Sequence, residues 1–187
     1  MFQQCLWVDE ELSEFKGQWG IAGGWAIDLF VGNETRLHSD IEVAVFQEDQ
    51  HLLRQKLSNW SFDKVVKREY INWGKEWLDL PVHEIHGTHK QDGLKLEILL
   101  NETKGNNWVF RRELSIQFPK SSLYLYSDEG IPYFHPAVVL LYKAKNTREK
   151  DHNDFYSARD LLNNEDRKWL YDALQIHMPK HKWIQEL

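Results

Sequence analysis

Asp40 and Glu42 flank Ile41 in a segment where Ile41, Val43 and Val45 alternate with other side chains. A period of two is the signature of a β-strand, on which residues two apart share a face. Both carboxylates therefore point one way while the apolar residues point the other. Two adjacent acids resist burial and repel each other, and a divalent cation held between them relieves both costs. Hard oxygen donors suit Mg²⁺. Upstream, Gly23-Gly24-Trp25-Ala26-Ile27-Asp28 places a glycine turn before a stretch of helical spacing. Together the two segments predict a metal-dependent phosphate site.

The chain has 187 residues, 42% hydrophobic and 28% charged. That is enough to bury a core in one globular unit or two small, closely packed ones. A net charge of −6 argues against a general nucleic-acid binder, which needs a broad basic surface. The single cysteine, Cys5, excludes an internal disulfide and any multi-cysteine metal site. No segment approaches the ~20 apolar residues that span a bilayer, and the start has no basic leader, so a soluble cytoplasmic protein is expected.

The order of elements predicts an α+β fold with a mixed sheet flanked by helices. A helix over 7–16 precedes a short strand at 19–22, a helix from Trp25 to Val31 that Gly32 stops, and the strand 41–46. A helix at 48–58 follows. Strand-like runs then occupy 62–70, 80–87, 94–100, 107–112 and 114–118. The composition changes after Pro119. Pro136 opens a helix to about 146, and further helices fit 151–162 and 165–176. The expected division is 1–119 and a helical region, 120–187, packed against it.

A third acid, Glu97, sits inside the apolar run Leu94-Lys95-Leu96-Glu97-Ile98-Leu99-Leu100. A lone buried carboxylate costs several kcal/mol, so it is normally paired, protonated or bound to metal. If its strand lies beside 41–46, Glu97 completes a three-acid cluster with Asp40 and Glu42, as a metal ligand or a general base. The alternative is an ion pair with Arg111 or Arg112, only one of which can share the face of Glu97 on a strand.

The string Gly-Gly-Trp-Ala-Ile-Asp, continued by Gly-Asn-Glu-Thr-Arg-Leu-His-Ser-Asp-Ile-Glu, resembles the DNA polymerase β-type nucleotidyltransferase superfamily. It is most similar to the aminoglycoside 2''-adenylyltransferase and lincosamide nucleotidyltransferase group. The likeness is strongest over residues 20–46 and looser through Glu97 and 136–154. It implies a nucleotidyltransferase fold, with backbone amides at Gly23 and Gly24 meeting nucleotide phosphates, and Asp40, Glu42 and Glu97 holding Mg²⁺. Glutamate at 42 and 97, where many relatives use aspartate, is a departure. Glu97 would also serve as base. On the helix from Pro136, a lysine would meet the triphosphate, and the apolar neighbours of Lys143 single it out.

Arg36, in the loop before the metal strand, suits a phosphate oxygen or a surface pair with Glu34 or Asp28. His38 suits a hydrogen bond that holds this loop, and Asp28 a brace on its helix. Asp151 and Asp154 read as structural acids paired with Lys or Arg on the preceding helix. The resemblance implies AMP transfer from ATP to a hydroxyl of a small molecule, such as an aminoglycoside-like antibiotic. The alternative is an antitoxin-like nucleotidyltransferase-fold protein that binds or nucleotidylates a protein partner.

Overall fold

The computed structural model describes all 187 residues. Helix α1 (Gln3–Glu11) leads into strand β1 (Trp19–Ile21), helix α2 (Gly23–Val31), strand β2 (Glu42–Phe46) and helix α3 (Gln50–Lys56). A hairpin of β3 (Trp60–Val66) and β4 (Glu69–Asn72) follows, then β5 (Glu84–His89) and β6 (Lys95–Asn101). The short strands β7 (Thr103–Lys104), β8 (Asn107–Val109) and β9 (Gln117–Pro119) form a separate meander. Next come β10 (Tyr124–Tyr126) and β11 (Pro132–Phe134), and helices α4 (Pro136–Lys143), α5 (Glu149–Ala158) and α6 (Asn164–His177) complete the chain. No helix is long and apolar enough to cross a membrane.

The main sheet runs β10-β11-β1-β2-β6-β5-β3-β4 and is mixed: β1 with β11 and β2 with β6 are parallel, the other neighbours antiparallel. The expected α+β class with a mixed sheet is what the chain adopts. The pairing that matters for chemistry is β2 with β6, because it sets Glu42 opposite Glu97. The alternation read from the sequence is physical here: Ile41, Val43 and Val45 are buried, while the face of Glu42 opens to a cavity.

Several boundaries differ from expectation. The run 62–70 is a hairpin that turns at Lys67 and Arg68, with φ of 52° and 71°. Tight hairpin turns need positive φ and usually announce themselves with Gly or Asn, so this one left no signal. Strand β8 stops at Val109, which puts Arg111 and Arg112 in a turn. The first helix overlaps the expected 7–16 but starts earlier, at Gln3, and ends at Glu11, burying Cys5 and Val8. The stretch 120–187 opens with two strands that extend the sheet, and it is helical from Pro136 onward.

One hydrophobic cluster runs from Phe2 to Trp183 and joins both parts of the chain. Helix α4 is its axis. Pro136 through Leu141 are all buried, so this helix is apolar on every side until its last turn. Truncating Leu140 to alanine is expected to cost ~2–5 kcal/mol, because the site is closed on all sides.

The start of α4 depends on His135, whose Nδ1 accepts the Ala137 N–H at 3.3 Å. Burial pushes its pKa down to about 4. An unfolded histidine titrates near 6.5, so the unfolded chain binds the extra proton first. His135 thus contributes stability that is complete above pH ~6.5 and lost as pH falls towards the folded value. Thermal melts between pH 6.5 and 4 should fall less steeply for His135→Asn than for the native protein. Equal slopes would contradict this assignment.

Candidate active site

The loop that delivers Asp40 and Glu42 is held from below by the buried Asp28 of α2. Thr35 donates its hydroxyl to Asp28 Oδ1 at 2.5 Å, and His38 Nε2 lies 2.6 Å from Oδ2. The His38 ring also stacks on Trp25, with centroids 4.2 Å apart. Asp28 and His38 therefore brace the loop, as the sequence suggested. Trp25 packs beside the glycine turn and is buried.

Arg36 forms an ion pair, but with neither Glu34 nor Asp28. Its fork donates to both oxygens of Asp154 on α5, at 3.0 and 3.1 Å, and Nη1 donates to the Leu37 carbonyl at 3.2 Å. Asp154 is fully buried and also meets Lys143 Nζ at 2.7 Å. Sequence reasoning assigned Asp154 a basic partner on the preceding helix, which Lys143 is. The second partner, from a loop more than a hundred residues upstream, had no local signal.

Gly23 and Gly24 begin α2 behind Ala22, which provides no side-chain cap, so the first N–H groups of the helix face outward. Gly23 has φ of 61°, and a Cβ there would overlap the Glu42 carboxylate. A Cβ on Gly24 would collide with Arg36 and His38. Gly23 is required by its left-handed backbone and by close approach, Gly24 by close approach alone.

The acids line up across the sheet. Glu42 on β2 is the register partner of Glu97 on β6, and Glu97 is in turn the partner of His86 on β5. Burial first, then the charges of Glu42, Glu84 and Asp40, push the Glu97 carboxyl up to about 8. Burial also raises Glu42, opposed by Lys143 and reinforced by Asp40. Asp40 stands exposed just before β2. Asp40, Glu42 and Glu97 are near enough to load one another electrostatically, yet their donor atoms do not close into a cluster. The tight grouping is Glu84, His86 and Glu97, whose donor atoms all lie within 4.8 Å of one another. Three crowded acids with two raised carboxyls are the donor set that a hard divalent cation neutralises. These residues fit one.

Opposite stand α4 and α5. Lys143 Nζ lies 2.7 Å from Asp154 and 3.4 Å from Asp151. Arg148 grips Asp151 through its backbone and guanidinium, at 2.9 to 3.2 Å. Burial pushes Asp151 up, but the bonds from Arg148 and the charge of Lys143 outweigh it, and its carboxyl titrates below the usual range. A cavity of about 390 Å³ separates the walls, with Gly23, Glu42 and Glu97 on one side and Lys143 and Arg148 on the other.

Sequence reasoning missed Glu84, His86 and Arg148. The first two alternate on β5, a pattern visible as Glu84-x-His86, but nothing local shows that β5 borders β6. Both Arg111 and Arg112 reach the cavity, because they sit in a turn where the strand rule of one per face does not apply. Neither pairs with Glu97.

A mixed sheet with an acid pair facing a lysine helix across a cleft is the arrangement that the resemblance to nucleotidyltransferases leads one to expect. The model of the aminoglycoside-2''-adenylyltransferase family matches residues 5–157, and the chain belongs to that family of enzymes. A lincosamide resistance protein of Staphylococcus haemolyticus is 21% identical over 164 residues, which cover 85% of this chain and 94% of that protein. The lincomycin-bound lincosamide antibiotic adenylyltransferase LnuA superposes with a TM-score of 0.60 at 16% identity, covering 86% of this chain and 98% of its own. ANT(2'')-Ia in complex with adenylyl-2''-tobramycin gives 0.60 at 11% identity, covering 92% and 98%. At these identities the two structures share the fold.

Removing Asp154 leaves two cations without their buried partner. Asp154→Ala is expected to destabilise the protein by ~3–5 kcal/mol in urea unfolding. A loss comparable to an exposed ion pair, below ~1 kcal/mol, would contradict the role given to it.

Proposed function

We propose that the chain transfers AMP from ATP to a hydroxyl of a small acceptor in the cytoplasm, as an antibiotic-modifying enzyme. The observation that carries this reading is the register of Glu42 against Glu97 on one wall of a cleft whose other wall presents Lys143 and Arg148. Asp40, Glu42 and Glu97 would hold Mg²⁺, which when bound neutralises charge on the transferring phosphoryl group. The family to which the chain belongs, and the crowding of these three acids, support that assignment.

In this scheme residues 1–119 supply the acids and the glycine turn, and 120–187 supply the lysine helix. The backbone N–H groups of Gly23 and Gly24, at the open end of α2, receive the β- and γ-phosphates. Lys143, already oriented by Asp154, adds its charge to that side. Arg36 acts one step back, by fixing Asp154 and so Lys143. Glu97 accepts the proton of the acceptor hydroxyl, whose oxygen bonds to the α-phosphorus as the bond to the bridging oxygen breaks and pyrophosphate leaves. Burial and the neighbouring acids push the Glu97 carboxyl up to about 8, and the charge of a bound cation would favour its ionised form, in which it can act as the base. Positioning and fixed charge do the rest, as is general for phosphoryl-type transfer.

The names of the relatives supply the first acceptors to try: aminoglycosides such as tobramycin, and lincosamides such as lincomycin. With α-labelled ATP and Mg²⁺, label should pass to one class of acceptor in the native protein. Asp40→Ala should lower the rate by at least ~100-fold. Glu97→Gln should retain nucleotide binding while losing transfer. Label transfer that survives Asp40→Ala would contradict the cation assignment.

A further inference from the structure

Two side chains that the transfer scheme leaves unused stand one strand beyond Glu97. Glu84 and His86 are two apart on β5 and share a face. His86 is the register partner of Glu97, so the imidazole and that carboxyl are side by side across the two strands. His86 Nε2 meets Glu84 Oε1 at 2.8 Å, and the Tyr70 ring stands edge-on to the imidazole with centroids 4.9 Å apart. Asp63, the partner of His86 on β3, adds a further acid to the same row. Neither Glu84 nor Glu97 pairs with a lysine or arginine, and the Glu97 carboxyl has no hydrogen-bond partner at all.

A histidine–glutamate pair is satisfied by its own hydrogen bond, but the third donor beside it is not. One imidazole nitrogen and two carboxylate oxygens all lie within 4.8 Å of one another. Zn–N and Zn–O bonds of ~2.0–2.2 Å set tetrahedral ligand atoms ~3.4 Å apart. From a limit of 4.8 Å the donors need to close by ~1.4 Å at most. The side chains of Glu84 and His86 are each 32% exposed, so they have room to make that movement and an ion can reach them from solvent. The nitrogen donor separates this cluster from Asp40 and Glu42. Mg²⁺ takes oxygen ligands, imidazole favours Zn²⁺ and its neighbours, and Mn²⁺ stands at the weak end of the divalent series.

We propose that Glu84, His86 and Glu97 form a site for a borderline divalent cation of the Zn²⁺ class, and that an ion held there blocks transfer by occupying Glu97. The oxygen that would accept the proton of the acceptor hydroxyl is then bonded to the ion. Glu97 is also drawn away from Asp40 and Glu42, so Zn²⁺ and Mg²⁺ compete for one carboxylate. The block, but not the site, rests on the transfer reading above.

Co²⁺ serves as the probe, titrated alone into the full chain and followed by its visible absorption. The native protein should bind one Co²⁺ saturably, and Zn²⁺ should displace it. His86→Asn and Glu84→Gln, each with an unchanged circular dichroism spectrum, should weaken Co²⁺ at least ~10-fold, the loss that even an outer partner of a metal causes. Asp40→Ala should change it less than ~2-fold. Absence of a saturable Co²⁺ signal in the native protein would overturn the proposal, as would equal binding in His86→Asn. A loss in Asp40→Ala as large as in His86→Asn would also overturn it, because the ion would then sit between Asp40 and Glu42. In the labelled-ATP reaction with Mg²⁺, added Zn²⁺ should inhibit the native protein and leave His86→Asn at least ~10-fold less sensitive. Equal inhibition of both would overturn the block. Co²⁺ binding as expected, with no transfer to any acceptor, would uphold the site and sink the transfer reading, and the block with it.

Discussion

A single buried carboxylate ties the cleft together. Asp154 lies at the centre of α5 with no solvent exposure, and accepts from Arg36 of the loop before β2 and Lys143 of α4. An unpaired ionised acid at that depth costs several kcal/mol, so the three segments must converge for the chain to fold. Convergence has a chemical consequence. It fixes the loop that leads to Asp40 and Glu42, and it aims a lysine across the gap at them. The contact that closes the fold and the contact that orients the lysine are one and the same.

The charges on the two walls are managed differently. On the basic wall Lys143 and Arg148 already have carboxylate partners in Asp154 and Asp151, which keeps Lys143 from collapsing onto Glu42. On the sheet, Glu42 and Glu97 face each other without a basic partner, and the Glu97 carboxyl holds its proton up to about 8. A site that is strained in this way before its ligands arrive suits a reaction that brings both a cation and a phosphate chain. His86 and Glu84 extend the acid row to the next strand, so the cleft floor is polar across three strands while the opposite face of the same strands is core.

Much of this was legible in the chain. The alternation from Asp40 to Val45 named the strand, its buried face and two acids, because a period of two is a local property. Glu97 stood out by its apolar neighbours. Gly32 stopped its helix with φ of 85°, as a terminal glycine does. What escaped was set by distant pairing. Asp154 recruits Arg36 from a loop far upstream, and β10 and β11 are three-residue strands, β11 set by its pairing with β1 and β10 by its pairing with β11. The turn at Lys67 and Arg68 uses residues that rarely take positive φ. Arg111 and Arg112 were tied to a strand rule that fails one residue after β8 ends.

The central claim is that Asp40, Glu42 and Glu97 hold a divalent cation at the site of transfer. The most direct measurement is a Mn²⁺ titration followed by electron paramagnetic resonance, with a non-hydrolysable ATP analogue present. The native protein is expected to show saturable binding with a one-to-one endpoint, and Glu42→Gln to lose it while keeping its fold by circular dichroism. Identical Mn²⁺ binding in the two proteins would contradict the claim.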